Sequence, residues 1–253
     1  MDFRKIFDTI PDEFDRWRPR YCTELFDDLI EYAQLAPGKT ALEVGPGTGQ
    51  ATEPVLKSGC DYTAIELGEN FTEFITDKFG TCDNFSIINA DFETYDFGGR
   101  KFDLLYSAAA FQWIPEKIGY PKAYDLLKPG GSFAMFLLKA DVQPGGGYTE
   151  EKLYNKIQAV YNEFFHPEIP YTCDLDYDAR EKYGFTQLET REYKKSRTFT
   201  ADEYVRLIGT HSDHLTLKEP YRTGVFEGIR AAINECGGSI ARYDLYTMYL
   251  AKK

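Results

Sequence analysis

Between residues 40 and 138 the chain alternates short apolar runs with longer segments of mixed polarity. The apolar runs predict five strands, at residues 41–44, 62–67, 85–90, 102–107 and 132–138. The segments between them predict helices at residues 48–58, 69–79 and 116–127. Strands that alternate with helices in this way are typical of βαβ units, in which successive strands pair in parallel.

The pattern outside this region extends the same sheet. Apolar positions at a helical period predict a helix at residues 21–35, and later segments predict helices at 149–165, 201–209 and 220–235 and strands at 185–199 and 243–251. We therefore expect an α/β fold: a doubly wound, Rossmann-like, seven-stranded and mostly parallel sheet with helices on both faces. A Pro/Gly-rich break at residues 143–147 indicates a helical insertion, or lid, after the fifth strand.

These elements divide the chain, which we interpret as one domain over residues 1–253, into four parts. They are N-terminal cap helices at residues 1–35, a core at 36–140, the helical insertion at 141–183 and C-terminal strands and helices at 184–253.

Composition restricts the classes of partner. The 253 residues carry 29 Lys and Arg against 41 Asp and Glu, a net charge of -12 that repels nucleic-acid phosphates and anionic lipid. No window approaches the ~20 apolar residues of a membrane span. The five cysteines form no C-x-x-C pair, so we expect a reducing, cytoplasmic location and no metal site. Neither nucleic acid nor membrane is an expected partner.

The most informative motif follows the first predicted strand. Glycines at 45, 47 and 49 give the pattern E-x-G-x-G-x-G, which begins at Glu43 and allows a ligand to approach the backbone closely. A dinucleotide loop, G-x-G-x-x-G, would place its third glycine at position 50, where this chain has Gln50.

Three further groups follow later strands. Glu66 ends the second strand, 23 residues after Glu43, where its carboxylate can accept two hydroxyl hydrogen bonds. Asp91 and Phe92 follow the third strand and offer an acceptor and an aromatic face, although Asp91 alone also fits a helix cap. The fourth strand leads into small residues and then an aromatic wall, in the string SAAAFQWI at 107–114.

With these motifs the chain resembles the class I S-adenosylmethionine (SAM)-dependent methyltransferases, over roughly residues 14–140. The string at 107–114 and LKPGG at 127–131 resemble the type 11, small-molecule branch, which includes trans-aconitate methyltransferase-like proteins. The resemblance implies that the glycine loop wraps the methionine part of SAM, that Glu66 binds the ribose and that Asp91 binds the adenine amine. The cofactor-binding residues that it implies are Tyr21, Glu43, Gly45, Gly47, Thr48, Gly49, Glu66, Leu67, Asp91, Phe92, Ser107 and Ala108.

The acceptor site is less clearly indicated. Arg16, Arg18 and Arg20 are candidates for binding an anionic substrate, because arginine binds carboxylates bidentately, although neighbouring acids offer simple ion pairs instead. We expect Arg20, Trp113 and His211 to face the substrate, and assign no catalytic residue. His211 could equally be a surface histidine. His211 and His214 form an H-x-x-H without an evident third metal ligand.

We therefore predict a SAM-dependent methyltransferase that produces S-adenosylhomocysteine (SAH) by direct in-line transfer to a small molecule. A carboxylate acceptor is slightly favoured by the arginines, because it needs no general base. The alternatives are a non-catalytic SAM-binding module and an NAD-type oxidoreductase, the latter disfavoured by Gln50. The sequence indicates neither the acceptor nor the oligomeric state.

Overall fold

The computed structural model describes residues 2–141, 151–169 and 173–253. Its strands form one seven-stranded sheet in the order β3-β2-β1-β4-β5-β7-β6. The first five strands along the chain pair in parallel, whereas β7 is antiparallel to both of its neighbours. The strands are β1 Thr40–Val44, β2 Asp61–Glu66, β3 Phe85–Asn89, β4 Phe102–Ala108, β5 Leu127–Asp141, β6 Thr186–Thr200 and β7 Ser239–Lys252. The predicted fold class is therefore confirmed.

The strand order reverses between β1 and β4, which places a crevice at their carboxyl ends. β1 pairs with β2 on one side and with β4 on the other, while Glu66 at the end of β2 pairs in register with Asn89 at the end of β3. Ligands of open α/β sheets bind at such a point of reversal. The loops after β1, β2, β3 and β4 carry the predicted cofactor residues to this edge.

The described helices cover both faces of the sheet. They are α1 Pro11–Trp17, α2 Thr23–Ala33, α3 Thr52–Leu56, α4 Glu69–Phe79, α5 Glu116–Leu126, α6 Glu151–Phe164, α7 Ala201–Ile208, α8 Ser212–Leu215 and α9 Tyr221–Glu235, with 3₁₀ helices at Phe3–Thr9, Phe111–Trp113 and Ala179–Tyr183. One buried cluster lies under α2, α3 and α4, and a second lies under α5 on the opposite face.

The structure differs from the predicted helices after the glycine loop and after α7 for local reasons. The helix after the glycine loop begins at Thr52 rather than at residue 48, because residues 46–51 form turns, with the Gly49 N–H bonded to the Pro46 carbonyl at 2.9 Å. The short helix α8 lies where the sequence indicated a loop. It follows α7 after only three residues.

The helix α6 of the predicted insertion packs on the C-terminal helix α9. Cβ atoms added at Gly224 and Gly228 would come within 2.4 Å of Phe164 and 2.8 Å of Val160, so glycine is required for this close approach. Together with α7 these helices form a third buried cluster. The predicted break at 143–147 and the predicted helix start at Thr149 lie outside the described residues.

Among the described helices, none is long and apolar enough to cross a membrane.

Candidate active site

A cavity of about 440 Å³ opens near the carboxyl ends of β1, β2, β4 and β5, which is the size range of small-molecule sites. It extends from Asp91, after β3, to His211, between α7 and α8. The predicted cofactor and substrate residues that line it are Tyr21, Gly45, Gly47, Glu66, Leu67, Asp91, Phe92, Ala108, Trp113 and His211.

The glycine loop is shaped by three residues with positive φ. Gly45, Gly47 and Gly49 have φ angles of 70°, 58° and 86°, which cost little only for glycine. A Cβ at Gly45 would lie 2.5 Å from Ala110, and one at Gly49 would lie 2.6 Å from the Phe79 ring. The loop is therefore fitted between the strand ends and α4, with Gly45 and Gly47 on the cavity side.

Glu66 connects the glycine loop to the N-terminus of α4. Its Oε2 accepts from the Gly47 N–H at 3.0 Å and its Oε1 accepts from the Gly68 N–H at 2.9 Å. Burial raises the pKa of the carboxyl, while these two backbone bonds act in the opposite direction. Each carboxylate oxygen retains a lone pair, so Glu66 is able to accept further bonds from a ligand in the cavity.

Four of the predicted cofactor residues lie behind the cavity wall instead of lining it. Gly49 packs on the Phe79 ring. Thr48 is buried and accepts from the Gln50 amide at 2.7 Å. The Ser107 hydroxyl donates to the Val44 carbonyl at 2.7 Å. These three residues and Glu43 are not among the residues that line the cavity, and the side chains of Thr48, Ser107 and Glu43 support the loop and the strands instead.

Glu43 belongs to a fully buried polar network beneath the glycine loop. Thr52 donates to its Oε2 at 2.5 Å, and Tyr62 donates to the same oxygen. The Tyr62 and Tyr106 hydroxyls are 2.7 Å apart, and Tyr106 donates to the Ala51 carbonyl at 3.1 Å. Burial raises the pKa of Glu43 to about 7. Its network joins β1, β2 and β4 to the start of α3.

Asp91 is held by an arginine that the sequence did not single out. Arg4 Nη2 lies 2.8 Å from Asp91 Oδ2, and Arg4 Nη1 lies 2.5 Å from Glu93 Oε1. Asp91 Oδ1 also accepts from the Glu93 backbone N–H at 2.9 Å. The carboxylate thus makes a local turn bond as well as the ion pair. Asp91 and Phe92 both line the cavity, together with Arg4.

Arg4 belongs to the N-terminal 3₁₀ helix, which lies over the cavity. Asp8 in this helix fixes its other end, because its Oδ1 accepts from the Phe71 N–H at 2.7 Å at the start of α4. The rings of Phe3 and Phe7 pack against Trp113 with centroid distances of 5.7 and 5.8 Å. The 3₁₀ helix and Trp113 therefore form a roof over the cavity.

The loop after β4 forms the next part of the wall. Ala109 has a φ of 55°, which is unusual for a residue with a side chain. Its N–H donates to the Phe136 carbonyl at 3.0 Å, and its carbonyl accepts from the Gln112 amide at 2.9 Å. Gln112 thus holds a strained backbone in place. Strain of this kind clusters at functional sites.

Arg18, Tyr21 and His211 also line the cavity, together with Leu137 and Leu138 of β5. The Arg18 guanidinium stacks on the Phe7 and Phe14 rings. Burial lowers the pKa of Arg18 to about 10, which leaves it charged at neutral pH. Its Nε is buried and has no hydrogen-bond partner among the described residues. An anionic ligand would satisfy it.

The other two arginines of the predicted group lie outside the cavity. Arg20 is 45% exposed and its Nη2 donates to Asp15 Oδ1 at 2.9 Å. Arg16 is exposed and stacks on Trp17 at 5.4 Å. Arg20, which we expected to face the substrate, is therefore placed outside this cavity. Its ion pair with Asp15, the simpler alternative, is what the structure contains.

His211 faces the cavity as a neutral imidazole. Burial, reinforced by the charge of Arg18, lowers its pKa well below the usual value. The ligand atoms of His211, Asp213 and His214 lie within 4.8 Å of one another, so a third ligand exists that the sequence analysis did not identify. Both ring nitrogens of His214 are already hydrogen-bonded, to Asp213 and to Tyr161. In this structure the three side chains therefore form a cluster in which His214 is hydrogen-bonded through both ring nitrogens.

Sequence reasoning missed Arg4, Asp8 and Asp213. The ion pair of Arg4 with Asp91 and the bond of Asp8 to α4 join residues more than 60 positions apart. No local sequence motif predicts the Arg4–Asp91 ion pair or the bond from Asp8 to α4. Asp213 lies between the two histidines of the H-x-x-H pattern, and its acceptor side chain was the available clue.

Comparisons with known proteins agree with this geometry. A family model described as a methyltransferase domain matches residues 42–135. The malonyl-[acyl-carrier protein] O-methyltransferase 2 of Ilyobacter polytropus is 37% identical over 224 residues, covering 83% of this chain and 80% of the relative. The ribosomal RNA small subunit methyltransferase A of Pseudomonas savastanoi pv. phaseolicola is 28% identical over 131 residues, covering 49% of this chain and 48% of that protein.

A likeness to solved structures extends to the whole fold. Haemonchus contortus phosphoethanolamine N-methyltransferase 2, solved in complex with S-adenosyl-L-methionine, superposes with a TM-score of 0.59 at 15% identity, covering 100% of this chain and 60% of that chain. The relative from Ilyobacter polytropus is similar along most of its length, and this likeness excludes the oxidoreductase alternative. The chain belongs to the class I SAM-dependent methyltransferases, in the branch that carries the type 11 methyltransferase domain.

Proposed function

We propose that this SAM-dependent methyltransferase methylates a carboxylate oxygen of a small acyl acceptor, which Arg18 holds in the cavity. The observation that carries the proposal is the Arg18 guanidinium, which lines the cavity and has a buried Nε without a partner among the described residues. The name of the Ilyobacter polytropus relative, which describes O-methylation of a malonyl group on acyl-carrier protein, supports the same acceptor class.

Other residues that line the same cavity fit the cofactor. We propose that Glu66 accepts the ribose hydroxyls, because its oxygens keep free lone pairs beside the glycine loop. Asp91 Oδ2 accepts a bond from Arg4 and keeps one free lone pair. The adenine amine would donate to this lone pair. Phe92 would pack against the purine. Gly45 and Gly47 line the cavity without side chains, which leaves room for the methionine part.

Methyl transfer makes few chemical demands on the protein. SAM supplies a methyl group that is already activated on a sulfonium. A carboxylate has no proton to remove, so the chain's own residues need only hold one of its oxygens and align the other. Arg18 supplies the charge. Tyr21 and His211 supply further donors, and no described residue hydrogen-bonds to the Tyr21 hydroxyl or the His211 ring. Because His211 is neutral, it donates without adding a second charge.

The test is methyl transfer from radiolabelled SAM to panels of small carboxylic acids, amines and phenols. We expect methyl esters from the acids, and a KM for the acid that rises roughly 30-fold in Arg18→Gln, the loss expected for a charged hydrogen bond. Arg20→Gln is the matched control, because it removes an equivalent exposed arginine two positions away. It should leave the KM unchanged.

Two outcomes would contradict the proposal. Methylation of amines or phenols but of no acid would exclude the acceptor class. A weaker affinity of Arg18→Gln for SAH, with an unchanged KM for the acid, would instead place Arg18 on the carboxylate of the cofactor itself. Titration calorimetry with SAH separates these roles.

A further inference from the structure

We propose that Asp213 is a specificity-determining residue, which accepts a hydrogen bond from a hydroxyl or amino group next to the acceptor's carboxylate and disfavours a second carboxylate there. The inference rests on the proposed carboxylate acceptor and adds a second recognised group to it. Asp213 lines the same cavity as Arg18 and His211.

Asp213 is held in one orientation by His214. Its Oδ1 accepts both the His214 backbone N–H and the ring Nδ1–H, each at 2.9 Å. No described residue hydrogen-bonds to its Oδ2. The side chain is 29% exposed, so this second oxygen is open to a ligand. A carboxylate fixed through one oxygen presents the other as a hydrogen-bond acceptor.

His214 is in turn fixed by the helix of the predicted insertion. The Tyr161 hydroxyl of α6 lies 3.1 Å from His214 Nε2, and burial raises the pKa of Tyr161, so that the phenol remains a donor. A bond donated by Tyr161 to Nε2 leaves the proton of a neutral ring on Nδ1, which is the nitrogen facing Asp213. Tyr161 and His214 are therefore positioning residues for Asp213.

The charges near Asp213 define what the cavity recognises there. Asp213 Oδ1 accepts two hydrogen bonds from His214, and such bonds favour the ionised form of a carboxyl group. Asp213 is thus an anion. Arg18 interacts electrostatically with Asp213, and ligand atoms of His211 and His214 lie within 4.8 Å of its carboxylate. The Arg18 guanidinium would bind the carboxylate of an acid, and the Asp213 carboxylate would accept a hydrogen bond from a donor group on the same acid. A second carboxylate on the acid would be repelled by Asp213.

Helix α6 contributes to this site only through Tyr161, because none of its described residues lines the cavity. The insertion therefore affects acceptor recognition indirectly, without contacting the acceptor. It fixes the rotamer and tautomer of His214, and His214 fixes the carboxylate.

The experiment compares three acids of the same length with SAH-saturated protein: propionate, lactate and malonate. Ligand-observed NMR titration gives their affinities. We expect lactate to bind roughly tenfold more tightly than propionate, as a hydrogen bond to a charged group predicts, and malonate to bind most weakly. Asp213→Ala should abolish the preference for lactate. Asp213→Asn, which keeps an acceptor but no charge, should strengthen malonate binding roughly tenfold.

Surface and helix variants provide the controls. Asp202→Asn removes one exposed negative charge from α7 and should preserve all three affinities. Tyr161→Phe should reduce the lactate preference partially, while SAH affinity stays unchanged. Tyr154→Phe, in the same helix, should reduce neither.

Failure of this inference is distinguishable from failure of the proposed function. If the acids bind but the lactate preference is the same in wild type and Asp213→Ala, the role of Asp213 is excluded and the carboxylate acceptor stands. If none of the three acids binds to the SAH-saturated wild type, the acceptor class is excluded and the inference with it.

Discussion

The guanidinium of Arg4 lies 2.8 Å from the carboxylate of Asp91, across 87 positions of sequence. The same Arg4 lies 2.7 Å from Asp2 and 2.5 Å from Glu93. Asp91, which we assign to the adenine amine, therefore also holds the N-terminal 3₁₀ helix over the cavity through Arg4. Because Arg4 itself lines the cavity, we expect its ion pairs to influence the rate at which the cofactor leaves.

Arg4→Gln should accelerate SAH dissociation roughly fivefold, because each partly exposed ion pair contributes up to about 1 kcal/mol. Stopped-flow displacement of SAH gives the rate. Salt should accelerate dissociation from the wild type more than from the variant, since screening weakens the same ion pairs. Lys5→Gln, one position along the same 3₁₀ helix, is the control. Equal dissociation rates for Arg4→Gln and wild type would exclude this role.

Glu66→Gln should weaken SAH binding roughly tenfold to 100-fold, the loss expected when a charged acceptor becomes neutral. The Gly47 and Gly68 N–H bonds to the side chain also lose strength. Titration calorimetry measures the affinity. The exposed Glu69→Gln, three residues away, removes the same charge outside the cavity. An unchanged affinity of folded Glu66→Gln would exclude the ribose assignment.

Gly49→Ala should destabilise the fold more than Gly99→Ala. The two glycines have nearly the same φ, 86° and 80°, so each alanine suffers a similar backbone strain of about 1–2 kcal/mol. Only at Gly49 does the added Cβ meet a side chain, the Phe79 ring at 2.6 Å. Overpacking there should add about 1–3 kcal/mol. Urea unfolding of both variants isolates the steric contribution, and equal losses of stability would contradict the tight fit of the loop.

Glu43→Gln should change how stability depends on pH. Burial raises the pKa of Glu43 from 4.5 to about 7, so between these values the folded protein binds a proton that the unfolded chain has released. This carboxyl therefore lowers stability progressively as pH rises from 4.5 to 7, by about 3 kcal/mol in all. Glutamine does not ionise, so the stability of Glu43→Gln lacks this dependence on pH.

The measurement for Glu43 is the difference in unfolding free energy between wild type and Glu43→Gln at pH 5 and pH 7.5. Other titrating groups contribute to both proteins and cancel in this difference. We expect the variant to gain stability relative to wild type at the higher pH. A difference that does not change with pH would show that Glu43 titrates normally.

The sequence predicted the central sheet well because its signals are local. Buried parallel strands are continuous apolar runs, and the Glu43 to Gly49 motif defines a turn that only glycine adopts. The cavity lining of Glu66, Asp91 and Trp113 followed from their positions at strand ends, since parallel strands place all those ends at one edge. The start of α3 was wrong because turn geometry after Gly49 delays the helix.

The rest of the site depends on contacts that sequence spacing does not encode. Arg18 and Arg20 are two residues apart in an extended segment after α1, yet only Arg18 lines the cavity. Which of them does so is decided by stacking on Phe7 and Phe14. Likewise, His214, which bonds to Asp213, is itself bonded to Tyr161, 53 positions away.

The position of β7 has a consequence for synthesis of the chain. β7 lies between β5 and β6 but follows both of them in sequence. As the protein emerges from the ribosome, β5 is left with an open edge and β6 with no partner until residues 239–252 appear. Unpaired edges of this kind invite association with other chains. Nascent chains arrested before residue 239 should therefore bind chaperones more strongly than those arrested beyond β7.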